Sequence, residues 1–153
     1  MRPLGIAGVV RKFESRDARA VDEILRKSPE AAAWSLKSLE QLDRRGELAW
    51  VIEIAGEVAG FLVARAVVAE AEILNLSIDP VKRRAGNANA LLQEGIAEFR
   101  RLHVRKIFLE VRESNTAAMH FYEKNGFVRN GLRPAYYQNP TEAAVLMMRE
   151  LTA

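Results

Sequence analysis

The stretch "RRAGNANALL", Arg83 to Leu92, follows the strand-like run "ILNLSIDPVK" and crowds two arginines, a glycine and small alanines into the start of an apolar helical pattern. A turn that delivers a strand into a helix leaves unpaired backbone N–H groups at the positive end of the helix dipole. Gly86 permits close backbone approach, Ala88 keeps the first turn uncluttered, and Arg83 and Arg84 add mobile charge, so the junction suits phosphate oxygens. It is neither a Walker loop nor a complete dinucleotide fingerprint, and a basic loop before an ordinary helix has the same pattern. Further on, Glu110 sits inside "IFLEV", where it alternates away from Ile107, Leu109 and Val111. A carboxylate within a central strand is uncommon unless it is paired or functional, which leaves a salt bridge to an arginine or a proton-accepting role.

The elements that must position these groups read as an alternation. "GVVRKF" (Gly8 to Phe13) has a strand pattern, and Ser15 is placed to cap a helix running through Ile24 and Leu25. "SLKSLEQL" (Ser35 to Leu42) forms a second short helix. "LAWVIEIAG" and "EVAGFLVARAVV" form two strands with a turn at Ala55-Gly56, and "AEILNLSI" a third. A helix from about Gly86 to Leu102 buries Leu92, Ile96 and Phe99. "KIFLEV" (Lys106 to Val111) is a strand, "NTAAMHFYEKNG" a helix ended by Gly126, and "AAVLMMREL" the last strand. The order, β-α-α-β-β-β-α-β-α-β-β, predicts an α/β or α+β sandwich of one mixed sheet covered by helices.

Composition narrows the function classes. The chain has 153 residues, 49% hydrophobic and 28% charged, a globular balance sized for one domain. With no cysteine there is no disulfide framework, thiolate nucleophile or Cys-based metal site. No apolar run is long enough for a membrane span and the first residues lack an apolar signal core, so a cytoplasmic protein without membrane contact is expected. The net charge of +3 suits a small polyanionic ligand; with no arginine block or aromatic ladder, direct nucleic-acid binding is not expected.

"SIDPVKRRAGNANALL", followed by "IFLEVRESNTAAMHFYEKNGF", resembles the GNAT acetyltransferase superfamily. The run Leu109 to Phe127 resembles one branch still more, the RimI-like ribosomal-protein-alanine N-acetyltransferases. "YYQNPTEAAVLM" (Tyr136 to Met147) is similar to that branch's tail and "AWS" (Ala33 to Ser35) to its substrate-side loop. Asn87 and Asn89 stand where aliphatic and basic residues are usual, Glu142-Ala143-Ala144 where Glu-Asp-Ala is, and "RPAYY" where "RxNYY" is.

The resemblance implies a GNAT fold over 1–153: a mostly antiparallel mixed sheet of six to seven strands with about four helices. It implies acetyl-coenzyme A (acetyl-CoA) as co-substrate, and no metal. The loop residues Arg83, Arg84, Ala85, Gly86, Asn87, Ala88 and Asn89 would take its pyrophosphate. Leu76, Ser77 and Ile78 would offer a strand edge to the pantetheine amides, and Asn115 would cap a helix, touch the pantetheine arm, or both. Transfer from a thioester to an amine needs a neutral amine, a stabilised oxyanion and a protonated leaving thiol. The resemblance makes Glu110 the base and Tyr122 the acid, with Glu70 and Glu72 as rival bases or attractors of a cationic amine. Trp34, Tyr136 and Tyr137 either wall the acceptor groove or pack its rim; His103 and His120 read as surface residues.

Three functions compete. The first acetylates the α-amine of a ribosomal protein that begins with alanine. The second acetylates a lysine, polyamine or other small amine. The third binds coenzyme A without catalysis, which an intact Glu110 and Tyr122 argue against.

Overall fold

In the computed structural model, residues 8–29, 34–42, 46–83 and 86–152 are described. Seven strands form one sheet: β1 (Val9–Lys12), β2 (Leu48–Ile54), β3 (Glu57–Val67), β4 (Glu70–Ile78), β5 (Lys106–Arg112), β6 (Val128–Tyr137) and β7 (Glu142–Glu150). Four helices accompany them: α1 (Ala18–Arg26), α2 (Leu36–Glu40), α3 (Asn87–Arg101) and α4 (Thr116–Lys124). The spatial order is β1-β2-β3-β4-β5-β7-β6, and the element order matches the one expected from sequence. Neighbours are antiparallel except β4 and β5, which run parallel because α3 carries the chain back across the sheet between them.

Period-two alternation sorts the strand residues between two cores. Trp50, Ile52, Ile107 and Leu109 face Leu91, Leu92, Ile96 and Phe99 of α3 and Met119 of α4. Val51, Phe61 and Val63 face Val21 and Ile24 of α1 and Leu39 of α2 on the other side. At Gly95, α3 lies so close to the sheet that a Cβ would stand 2.7 Å from Leu62 Cδ2. The Ala55-Gly56 turn has φ of 52° and 81°, the doubly left-handed geometry of a tight hairpin.

Ser15 does not cap a helix. Residues Ser15–Asp17 form a 3-10 turn and α1 starts at Ala18. The Ser15 hydroxyl donates instead to the Glu40 carbonyl at 3.2 Å, fastening the turn to the end of α2. The Asp17 carboxylate accepts from the Glu14 N–H and, at 2.8 Å through both oxygens, from Arg11.

One irregularity positions everything that follows. Val63 pairs with Asn75 but the adjacent Ala64 pairs with Ile73, so Leu74 is an extra residue bulged out of β4. The parallel pairing of β4 with β5 ends at Ile73 and Leu109, beside that bulge. Beyond it β4 continues to Ile78 and β5 to Arg112 without pairing to each other, so the two strands splay. A bulge bends its own strand away from its neighbour, which is the physical cause of the gap.

Candidate active site

Glu110 lies where the splay begins. The sheet face that buries Ile107, Leu109 and Val111 under α3 and α4 leaves Phe108, Glu110 and Arg112 on the opposite face. There a cleft of about 430 Å³ opens, lined by Arg65, Glu70, Glu72, Phe108, Glu110 and Arg133 among others. The salt-bridge alternative for Glu110 is realised, to Arg133 at 3.3 Å, and the carboxylate also lines the cleft. The Tyr136 hydroxyl is directed at the same carboxylate, whose hydrogen bond and charge hold the phenol above its ordinary pKa. Glu72 acts on Tyr136 in the same sense, placing it at the same cleft.

Tyr122 lies on the other side of the sheet, 7% exposed, in the core between sheet and α4. Its ring meets Phe121 and Phe127 edge-on, at centroid distances of 5.2 and 5.4 Å. Burial raises its pKa strongly and the nearby Tyr137 adds to this, so the hydroxyl keeps its proton throughout the neutral range. Tyr137 is pushed up to about 12, by burial first and then by Glu110. Tyr137 thus lies within electrostatic reach of both Glu110 and Tyr122.

The loop side is more anchored than its composition suggests. Arg83 is not a mobile charge: its Nε donates to the Ile78 carbonyl and its terminal nitrogen to the Ser28 hydroxyl, each at 3.2 Å. Asn87 is buried and donates its amide to the Lys82 carbonyl at 3.0 Å, so its side chain shapes the loop from within. Gly86 is the N-cap of α3 with φ of 78°, a left-handed conformation that favours glycine, and among the described residues beyond its chain neighbours no atom lies within 4 Å of where a Cβ would stand. Ala88 is partly buried against the α3 core, and the exposed Asn89 accepts from Gln93 at 3.3 Å. Arg84, Ala85 and Ala33 lie outside the described residues.

Among the other expected positions, Asn115 caps α4, its Oδ1 accepting from the Ala118 N–H at 3.1 Å. Leu76 and Ile78 pack toward the α3 side, while the buried Ser77 donates to Asn75 Oδ1 at 2.7 Å. Trp34 packs against the α1–α2 core and is not among the residues lining the cleft. His103 and His120 are exposed. Among the described residues, no three His, Cys, Asp or Glu side chains could together hold a metal ion, and no helix is long and apolar enough to cross a membrane.

A family model described as the acetyltransferase (GNAT) family matches residues 15–127. The chain belongs to that family. The splay, the glycine-capped α3 and the strand carboxylate thus belong to a GNAT acetyltransferase, an enzyme that moves an acetyl group from acetyl-CoA to an amine. The [ribosomal protein bS18]-alanine N-acetyltransferase of Escherichia coli K12 is 31% identical over 140 residues, covering 90% of this chain and 94% of the relative. The crystal structure of the Escherichia coli ribosomal-protein-S18-alanine N-acetyltransferase superposes with a TM-score of 0.85 at 30% identity, over 96% of each chain. Ard1 from Thermoplasma volcanium superposes at 0.87 with 30% identity, covering 97% of this chain and all of that one. The resemblance drawn from the two motifs is therefore confirmed at the level of family and fold.

Two features of this GNAT site escaped sequence reasoning. Arg133 was not among the expected site residues, and neither were Arg112 and Glu142, which brace Tyr137. Arg112 lies 4.5 Å over the Tyr137 ring and pairs with Glu142 at 3.2 Å. The signal available was the spacing of Arg133 before Tyr136 and Tyr137, but an unbroken strand would have put Arg133 and Tyr136 on opposite faces.

Proposed function

We propose that this chain, as one N-acetyltransferase domain over residues 1–153, acetylates the α-amine of a ribosomal protein that begins with alanine. The observation that carries this reading is Glu110 at the junction of the β4–β5 splay and the cleft, with Tyr136 and Tyr137 beside it. The named activity of the Escherichia coli relative supports the acceptor. A cytoplasmic location accords with such a partner.

The residues fit acetyl-CoA, which supplies the activated acyl group and a thiolate able to leave. The unpaired edge of Leu76, Ser77 and Ile78 would hold the pantetheine amides, and the N–H groups of Gly86 to Asn89 the phosphates, with Arg83 bracing the loop and Arg84, Ala85 and Asn115 completing the set. A strand edge with free N–H and C=O groups is a ready partner for an extended amide chain, and a long helix led by a left-handed glycine offers unpaired N–H groups.

Glu110 takes the proton from the acceptor's ammonium group, directly or through water. A free α-amine ionises near pKa 7.7–8.0 and a lysine near 10.4, so a single carboxylate is adequate for the first and far less so for the second. Tyr122 returns a proton to the leaving sulfur; its buried phenol is protonated wherever the enzyme works. Tyr136 and Tyr137 are the acceptor-side residues beside Glu110, while Trp34, packed on the α1–α2 core, takes the rim-packing role. The family match ends at residue 127, before β6 and β7, so these two tyrosines lie in the part of the chain that the family model does not cover.

A small polyamine is the second reading, favoured by Glu70 and Glu72 on the cleft wall. Initial rates against short peptides differing at the first residue, with spermidine and an internal-lysine peptide alongside, separate the two. Alanine-starting peptides should be acetylated fastest, and equal rates on spermidine or internal lysine would remove the ribosomal-protein reading. Gly86→Glu tests the coenzyme side: calorimetric titration should show acetyl-CoA binding weakened at least about tenfold in a folded variant, since a carboxylate at the helix N-terminus repels phosphate.

A further inference from the structure

Resting on the reading of Glu110 as the base, we propose that Arg133 is its positioning residue: with the Tyr136 bulge it holds the carboxylate at the cleft, and its guanidinium cedes that place to the ammonium group of the incoming acceptor.

The backbone of β6 is built for this contact. Arg133 is paired with Ala144 and Tyr137 with Glu142, so Pro134, Ala135 and Tyr136 stand opposite Ala143 alone. Ala135 has φ of 52°, in the left-handed region that a residue with a Cβ rarely adopts. The detour turns Tyr136 back toward Arg133, whose guanidinium carbon lies 5.0 Å from the centre of the Tyr136 ring. Such a conformation persists where the surroundings over-determine it, and such places cluster at functional sites.

The ion pair is asymmetric. The Arg133 side chain is 54% exposed and that of Glu110 is 20% exposed. An exposed pair is weak, so an arriving ammonium group can replace the guanidinium at little cost. Around Glu110 the charged and titratable groups are Arg65 on β3, Glu70 and Glu72 on β4, and Arg133, Tyr136 and Tyr137 on β6; β7 offers Leu146. Arg65 is engaged with Glu47 at 3.5 Å, which leaves Arg133 as the cation paired with the base among the described residues. Two further carboxylates on β4 favour a cationic acceptor in the same cleft, so the acceptor competes with Arg133 for Glu110.

Steady-state rates on an alanine-starting peptide and on spermidine test this with the parent, Arg133→Ala, Arg133→Lys and, as a control on the same strand, Arg129→Ala. Arg133→Ala should lower kcat by roughly three- to tenfold through lost orientation, without raising the acceptor KM. Arg133→Lys should recover most of kcat, and Arg129→Ala should match the parent. A raised acceptor KM with unchanged kcat would make Arg133 a groove contact, and kinetics identical to the parent would make it plain surface; either overturns the proposal. A parent that acetylates spermidine but no peptide overturns the ribosomal-protein reading, while the Arg133 comparison is still read on spermidine.

Discussion

Two adjacent tyrosines on β6 each lie beneath an arginine that is paired with a glutamate, yet the two groups are built differently. Around Tyr137, Arg112 and Glu142 are 11% and 16% exposed, and Arg112 also donates to the Gln138 and Pro140 carbonyls at 3.1 and 3.2 Å. Glu142 accepts in addition from the Ser114 N–H at 2.9 Å and the Ser114 hydroxyl at 3.0 Å. Around Tyr136, Arg133 is half in solvent and Glu110 looks into the cleft. Glu142 accepts three hydrogen bonds on its two oxygens, whereas Glu110 has the half-exposed Arg133 and the Tyr136 hydroxyl beside it and is left with more room for a substrate proton. The same three residue types therefore make a brace in one place and, on the reading proposed above, a proton-accepting site in the other, and the difference lies in how completely the oxygens are satisfied.

Substitutions at the two glutamates should differ most. Glu110→Gln keeps volume and strand pairing but removes the proton acceptor, so turnover should fall roughly 10²- to 10⁴-fold. Acetyl-CoA binding by calorimetry should hardly change, and raising the pH should partly restore the rate because the amine then deprotonates unaided. Full activity with the parent's pH profile would move the base role to Glu72 or to water.

Tyr122→Phe probes the core side of the sheet, across from Glu110. The packing against Phe121 and Phe127 should survive, and the rate of the chemical step should drop on the order of 10²-fold. A more acidic acyl thioester should restore the variant more than it helps the parent, since its thiolate leaves without a proton. Equal gains for both would remove Tyr122 as the acid.

Arg112→Ala breaks the brace without touching the base. Thermal melting should show a midpoint several degrees lower, and kcat should fall only about threefold, through a less fixed Tyr137. A loss as deep as that of Glu110→Gln would erase the distinction between the two groups.

The smallest effect is expected of Glu142→Gln, and it carries a pH signature. Hydrogen bonds from the Ser114 hydroxyl and N–H, with Arg112 beside them, hold the Glu142 carboxyl below its ordinary pKa. A depressed folded-state pKa contributes stability above the unfolded value, near 4.3 for a glutamate, and loses it as the pH falls through the folded value. The gap in melting midpoint between parent and variant should therefore be widest near neutrality and close in acid. A gap independent of pH would show that the ionised carboxylate is not what braces the turn.

Element types and order, the hairpin at Ala55-Gly56, the helix stop at Gly126 and the strand carboxylate Glu110 were legible in the chain because they follow from local rules: periodicity, turn residues and caps. The places of Tyr122 on α4 and of Gly86 at the start of α3 were legible because their neighbours in sequence are also their neighbours in space. Ser15 misled because its hydroxyl had a distant partner, the Glu40 carbonyl, that no local rule contains. Arg83 misled likewise, its guanidinium being taken up by Ile78 and Ser28.

By itself, then, the sequence determined which residues could accept or give a proton and on which strand or helix each would ride. Tertiary structure decided which of them meet. The bulge at Leu74 parts β4 from β5, and the detour from Pro134 to Tyr136 carries a tyrosine onto the face of its own strand where Arg133 and Glu110 lie. In β4 one extra residue reverses which face the following side chains occupy, whereas in β6 three residues stand opposite one and turn Tyr136 aside locally; each is set by the register against the adjoining hairpin strand, β3 or β7. That register is what the residue pattern of β4 or β6 taken alone does not contain.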